Sequence, residues 1–323
     1  MTEASIASEL VLRTPPATSA APAAVAPPAA TAPPTASAPA AATPADALTE
    51  HRTSRWGSAA LSLRARPDLV LSALWVLLLV VAAVAPTLFT RVDPLASVAG
   101  VRLPPSWAHP FGTDAIGRDL FSRVVNGASL SLGAALVAIV VGLVAGTLIG
   151  LLAGYRGGWL DTVLMRVVDV LLAIPGLLLS LAFVVALGFG TINVAIAVGV
   201  TSVASNARVL RSEVLKVRTS VYVEAAAAGG ASPARVLLRH VLPNSISPLL
   251  ALLALDFSAA ILAISALSFL GYGAQPPTPE WGALVSSGRD FLSSAWWLTA
   301  APGLVIALTV LAGNRISRAF STE

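Results

Sequence analysis

The sequence predicts an all-α membrane protein with six transmembrane helices. Of its 323 residues, 56% are hydrophobic and only 11% are charged, whereas about 25% of the residues of an average soluble domain are charged. So few charges cannot cover the surface of a soluble fold of this length. Uncharged windows of about 20 residues or more, enough to cross a bilayer as a helix, recur along the chain. The sequence therefore favours a polytopic membrane protein over a cytosolic enzyme.

The windows predict where the spans lie. The third window is interrupted by Pro175, which should kink its helix. In the second, Gly142, Gly146 and Gly150 recur every fourth residue, a pattern that allows close helix packing. The predicted spans are 69–90, about 130–154, about 162–187, about 191–207, about 246–270 and about 294–312.

Two flanking regions complete the predicted organisation. Residues 1–60 are expected to form a disordered cytoplasmic extension, because 11–50 hold 16 Ala and 9 Pro. A secretory signal peptide is disfavoured, since no basic segment leads at once into a leucine-rich one. Residues 61–129 hold the first span and an outer loop, and 130–318 form the core. Six spans and the arginines of the 206–245 connection place that connection and both termini in the cytoplasm.

Composition excludes several functions. The chain has no cysteine, so disulfide frameworks, thiolate metal sites and cysteine nucleophiles are absent. Its three histidines do not cluster in the sequence, and no metal site is expected. No P-loop, His-Glu-x-x-His or Gly-x-Ser-x-Gly motif occurs. The arginines lie between apolar runs, which is typical of membrane topology rather than of nucleic-acid binding. No catalytic residue is assigned.

A few polar residues lie inside predicted spans. Arg166 and Asp169 are three residues apart on one helical face and are expected to form a structural ion pair, with a transport site as the less favoured alternative. Asp256 is a candidate pore residue, because an intramembrane charge is costly unless paired or hydrated. A packing role with a satisfying partner is equally compatible with its position. Asn206 is a second pore candidate.

The 206–245 connection predicts two short helices that meet at a glycine elbow. The run 220–229 is a strong helix former that ends in glycine, and Gly229 and Gly230 supply a turn. Ser232 is a suitable N-cap, with Pro233 at the first helical position. The second helix is expected over about 233–241 and to end at Pro243. A compact protrusion of this kind suits a groove on another protein.

The same segment resembles the EAA loop of ABC-importer permeases, through Glu224-Ala225-Ala226, Gly230 and Leu242-Pro243. The resemblance extends over about 65–314 and is closest to the second permease subunit of peptide/nickel-type importers, the dipeptide and oligopeptide permease C family. Several features depart from the family pattern. Gly229 replaces a usual leucine, Ile264 stands where relatives often carry glutamate, the tail after Asn314 is short, and the Ala/Pro-rich extension lies outside the pattern. Further matching stretches begin at His109, Ala153, Met165, Tyr222, Arg239, Leu267 and Gln275.

The resemblance implies a non-catalytic, MetI-like type I permease core in a bacterial cytoplasmic (inner) membrane. It implies a homologous second permease subunit, two ATPase subunits that hold ATP and Mg, and an extracytoplasmic solute-binding protein. No cofactor is expected in this chain. The implied ATPase-docking residues are Glu224, Ala225, Ala226, Gly230, Ser232, Arg239, His240, Leu242 and Pro243. The candidate contacts for the binding protein are Thr113, Asp114, Arg118, Pro277 and Trp281.

The resemblance leaves the cargo open. Dipeptides or oligopeptides are the leading prediction, and nickel and glutathione carriers use similar permeases. A stand-alone channel or an intramembrane enzyme would belong to a different class. The sequence contains no charge rings or filter-like loops, which disfavours a channel. It contains no catalytic constellation, which disfavours an enzyme.

Overall fold

A computed structural model describes residues 67–321, so the predicted extension over 1–60 lies outside the described residues. Within this range the chain forms helices and loops, with two isolated β-bridges and no strand. The helices are α1 (Pro67–Val84), α2 (Leu120–Arg156), α3 (Gly158–Ala173), α4 (Gly176–Leu187), α5 (Thr191–Arg218), α6 (Val221–Ala228), α7 (Pro233–Val236), α8 (Leu242–Ser245), α9 (Ser247–Phe269), α10 (Trp281–Gly288) and α11 (Trp297–Ser321).

The helical, multi-span prediction is confirmed. Five helices (α1, α2, α5, α9 and α11) are long and apolar enough to cross a membrane, and α3 with α4 makes a sixth if the bent pair is one span. The pair bends by 99°, so the kink predicted at Pro175 is present, as a break between two helices rather than a bend within one helix. The break falls at Ile174, whose backbone is extended at ψ 131°. Pro175 follows it, and a proline disfavours a helical conformation in the residue before it and has no N–H to donate.

Close packing of α2 on α5 organises the centre of the fold. A Cβ atom at Gly146 would lie 2.6 Å from the Cβ of Asn206, and one at Gly150 would lie 2.5 Å from the carbonyl oxygen of Ala207. No side chain fits at those distances. The predicted glycine stripe therefore works as the sequence suggests: it brings two spanning helices into backbone contact.

The loops gather at opposite ends of α2. Near its first turn, the guanidinium of Arg123 donates to the carbonyl oxygens of Pro94 (3.0 Å) and Pro277 (3.2 Å), which joins the loop before α2 to the loop before α10. Near its last turn lies the α6–α8 segment. We call these the loop end and the elbow end of the molecule.

Candidate functional site

The predicted elbow is present between α6 and α7. Gly230 has φ +84°, a left-handed conformation that glycine adopts without strain. The hydroxyl of Ser232 accepts a hydrogen bond of 3.4 Å from the backbone N–H of Arg235, and Pro233 occupies the first helical turn. These local signals explain why the chain turns at Gly230 and begins a second helix at Pro233.

The second helix does not end at Pro243, and this part of the prediction is wrong. A π-turn over Leu237–Val241 leads directly into α8, with the backbone N–H of Leu242 donating to the carbonyl oxygen of Leu237 five residues earlier. Pro243 is the second residue of α8 and lies inside this continuous helical run rather than ending it. The chain therefore stays helical through Ser245.

A buried apolar cluster holds the elbow against the ends of α2 and α5. Two polar bonds reinforce it: the Tyr155 hydroxyl donates to the Pro233 carbonyl oxygen (3.0 Å), and Arg218 donates to the Gly154 carbonyl oxygen (2.8 Å). The elbow is thus attached to two spanning helices rather than hanging as a free loop. The cluster consists of Leu151, Leu210, Val214, Val223, Val236 and Val241.

The opposite side of the elbow is exposed and carries both small and charged side chains. Glu224 is exposed on α6, and Val223 beside it is buried. Ala226, His240 and Leu242 are half-buried. The predicted docking residues therefore share a protruding segment whose outer surface is free in this chain. The exposed members are Glu224, Ala225, Gly230, Ser232, Arg239 and Pro243.

Ion pairs near the elbow end join α3 to α5. Asp169 pairs with Arg208 of α5, so the predicted pairing of Asp169 with Arg166 is wrong. Asp161 accepts two bonds from Arg211, at 2.5 Å to Nε and 2.7 Å to the second nitrogen. Sequence spacing could not identify these partners, because they come from different helices.

The two pore candidates lie together. The side-chain amide of Asn206 lies beside the Asp256 carboxyl group. Asn206 is buried between α2 and α5, and Asp256 is half-buried on α9. Asn206 and Asp256, which were predicted separately from the sequence, therefore lie side by side on α5 and α9.

Three of the five candidate contacts for the binding protein are buried at the loop end. The Thr113 hydroxyl accepts from the Leu103 N–H and donates to the Gly100 carbonyl oxygen, and the Trp281 indole N–H donates to the Val124 carbonyl oxygen at 2.9 Å. Asp114 is also buried. In this structure these three side chains therefore lie below the surface, and the polar groups of Thr113 and Trp281 hold the loops together. The two that reach the surface are Arg118, which is half-buried, and Pro277, which is exposed.

A buried carboxyl group caps α10. Both Glu280 carboxylate oxygens accept backbone hydrogen bonds, from Gly282 at 3.2 Å and from Ala283 at 3.3 Å. Burial raises the pKa of Glu280 above its ordinary value, and the two backbone hydrogen bonds oppose that rise. Sequence analysis missed this residue, although a glutamate directly before a helix is a recognisable cap.

Sequence comparisons place the chain in a known class. Residues 146–322 match the family described as "binding-protein-dependent transport system inner membrane component". The probable D,D-dipeptide transport system permease DdpC of Escherichia coli K12 is 39% identical over 271 residues, covering 83% of this chain and 91% of that protein. The glutathione transport system permease GsiD of Escherichia coli strain 536 is 45% identical over 210 residues, covering 65% of this chain and 69% of GsiD.

These matches define a membrane permease of an ABC importer. More closely, the chain belongs to the binding-protein-dependent inner membrane component family and is a permease of the peptide/nickel type. A solved chain of the inward-facing MetNI methionine transporter is similar at a TM-score of 0.49 and 20% identity, covering 62% of this chain and 97% of that one. Within residues 67–321, no three His, Asp or Glu side chains come together as a metal site.

Proposed function

We propose that the elbow of α6–α8 couples this permease to an ATPase subunit. The observation that carries the proposal is the contrast between its two sides: Val223, Val236 and Val241 are buried against α2 and α5, while Glu224 and Gly230 are exposed. A rigid segment with a free outer surface and a fixed inner one can pass a push to the spanning helices.

The proposed assembly contains this chain, a homologous second permease, two ATPase subunits and an extracytoplasmic binding protein. ATP and Mg are held by the ATPase subunits, and this chain is non-catalytic. Nucleotide binding draws the ATPase subunits together, the elbows move with them, and the pore changes from inward-open to outward-open. The elbow end and both termini are then cytoplasmic, and the loop end faces outward.

We propose peptides as the cargo. The printed names of the relatives support this class, since a D,D-dipeptide and glutathione are both short peptides. Dipeptides or oligopeptides remain the leading assignment, with glutathione as the second. Nickel is the alternative from the same family type.

Uptake measurements with elbow variants test the coupling role. Glu224→Ala and Gly230→Val should abolish uptake and ATPase association while the chain still inserts into the membrane. Gly303→Ala is a matched control, because a Cβ atom there meets nothing within 4 Å. Normal uptake in both elbow variants would refute the coupling assignment.

A further inference from the structure

Asp256 is a carboxyl group in the middle of a spanning helix. It lies nine residues after Ser247, the first residue of α9, or about 14 Å along the helix at about 1.5 Å per residue. Its side chain is half-buried, and the uncharged side-chain amide of Asn206 lies beside it. The ion pairs recorded among residues 67–321 do not include it.

The amide that contacts Asp256 is held firmly. Asn206 is only 4% exposed, and its side chain occupies the space left by two glycines of α2. A Cβ at Gly142 would lie 3.4 Å from the Asn206 amide nitrogen, and one at Gly146 would lie 2.6 Å from its Cβ. The close α2–α5 contact therefore fixes the position of the Asn206 amide, which lies beside the carboxyl group of Asp256.

The open side of Asp256 cannot face lipid. An intramembrane carboxylate is costly against hydrocarbon and is found facing a protein interior or a water-filled cavity. The neighbouring surface of α5 is polar as well, since Ser205, Arg208 and Ser212 are exposed at spacings of three and four residues, which is one helical face. Of the five long spanning helices, α5 is also the least hydrophobic.

We propose that Asp256, oriented by Asn206, is a cation-attracting site in the water-filled translocation pathway, suited to the protonated amino group of a peptide cargo. The inference rests on the proposed function as a peptide importer. A single carboxylate with an uncharged hydrogen-bond donor leaves its negative charge available to a passing ammonium group. Asp169 provides the contrast, because Arg208 already neutralises it.

Thiol labelling of the complete importer in proteoliposomes tests the site without any cargo. The chain has no cysteine, so Ser205→Cys is a single reporter next to Asn206. A cationic methanethiosulfonate should react at least about fivefold faster than an anionic one. This preference should disappear with Asp256→Asn, and persist with Asp256→Glu and with Asp169→Asn. Leu262→Cys, which is 56% exposed on α9 among apolar residues, is the lipid-facing control and should not react.

Three labelling results would overturn the proposal: an inert Ser205→Cys, which would mean that a partner subunit covers this surface; equal rates for the two reagents; or a preference that survives Asp256→Asn.

Transport assays test the amino-group part. Asp256→Asn should reduce uptake of a peptide with a free amino group about tenfold relative to its N-acetylated form, after correction for the affinity of each for the binding protein. An equal change for both would overturn this part. Failure of the wild type to transport either peptide would count against the proposed function instead, and the labelling result would still decide the site.

Discussion

The phenol hydroxyl of Tyr155 donates a 3.0 Å hydrogen bond to the carbonyl oxygen of Pro233. Tyr155 is one residue from the end of α2, and Pro233 is the first residue of α7. The bond therefore connects the longest spanning helix of the described chain to the second arm of the elbow. The Arg218–Gly154 bond joins the ends of α5 and α2, and the buried apolar cluster packs the elbow against both helices.

Tyr155→Phe should loosen this connection without unfolding the protein. It removes one hydrogen bond, worth about 1 kcal/mol, and keeps the ring that packs against the apolar cluster. We expect more ATP hydrolysed per cargo molecule imported in the reconstituted importer. Tyr272→Phe, at the loop end, is the control and should leave that ratio unchanged. An unchanged ratio in Tyr155→Phe would show that the bond does not contribute to coupling.

Gly146→Ala should destabilise the α2–α5 contact. The added methyl would lie 2.6 Å from the Cβ of Asn206 and 3.1 Å from the backbone nitrogen of Ala207, so the helices must separate. Overpacking of this kind costs about 1–3 kcal/mol. The matched control is Gly133→Ala on the same helix, where a Cβ meets nothing within 4 Å. Thermal unfolding in detergent should show a lower midpoint for Gly146→Ala alone, and equal midpoints would contradict the packing argument.

Arg211→Lys should weaken the join between α5 and α3. The guanidinium reaches both oxygens of Asp161, whereas an ammonium group is a single point charge and cannot form this two-bond arrangement. A loss of about 0.5–1 kcal/mol is expected because the pair is partly exposed. Lys216→Ala removes the more exposed Lys216–Glu213 pair and should have no measurable effect on the unfolding midpoint. Equal losses would show that the two-bond geometry is unimportant.

Glu280 predicts a pH dependence of stability. Burial raises its pKa in the folded state above the ordinary value of 4.5, so the folded protein binds more protons than the unfolded chain between the two values. The resulting stabilisation is complete below the unfolded pKa and is lost as the pH rises through the folded pKa. Glu280→Gln should flatten this part of the curve of unfolding midpoint against pH. A curve of unchanged slope in the variant would exclude Glu280 as its source.

Sequence reasoning located the spans but not their ends. Uncharged windows identify the apolar centre of a helix, and α9 over Ser247–Phe269 agrees closely with the predicted 246–270. The fourth span was predicted to end near 207, yet α5 continues to Arg218. Charged residues do not end a helix when they form ion pairs with a neighbouring helix. Here Arg208 pairs with Asp169, and Arg211 pairs with Asp161.

The elbow was predictable because its causes are local. Glycine at a left-handed turn, serine as a cap and proline at the first helical position all act within a few residues. Burial at the loop end was not predictable in this way. Thr113 and Trp281 were chosen as candidate surface contacts, but both bond inside the fold: Thr113 to Leu103 in the same loop, and Trp281 to Val124, 157 residues away in the sequence. Such contacts depend on tertiary structure, which spacing alone does not encode.

Cross-linking from the elbow tests the central claim most directly. Since the chain has no cysteine, Ala228→Cys on the exposed surface of α6 can be labelled specifically in the assembled importer. The label is a short linker with a thiol-reactive maleimide at one end and an amine-reactive N-hydroxysuccinimide ester at the other. We expect a covalent product with an ATPase subunit, in an amount that changes when ATP is added. We expect no such product from Val101→Cys, which is 54% exposed at the loop end. Absence of an ATPase product from Ala228→Cys, or an equal yield from Val101→Cys, would contradict it.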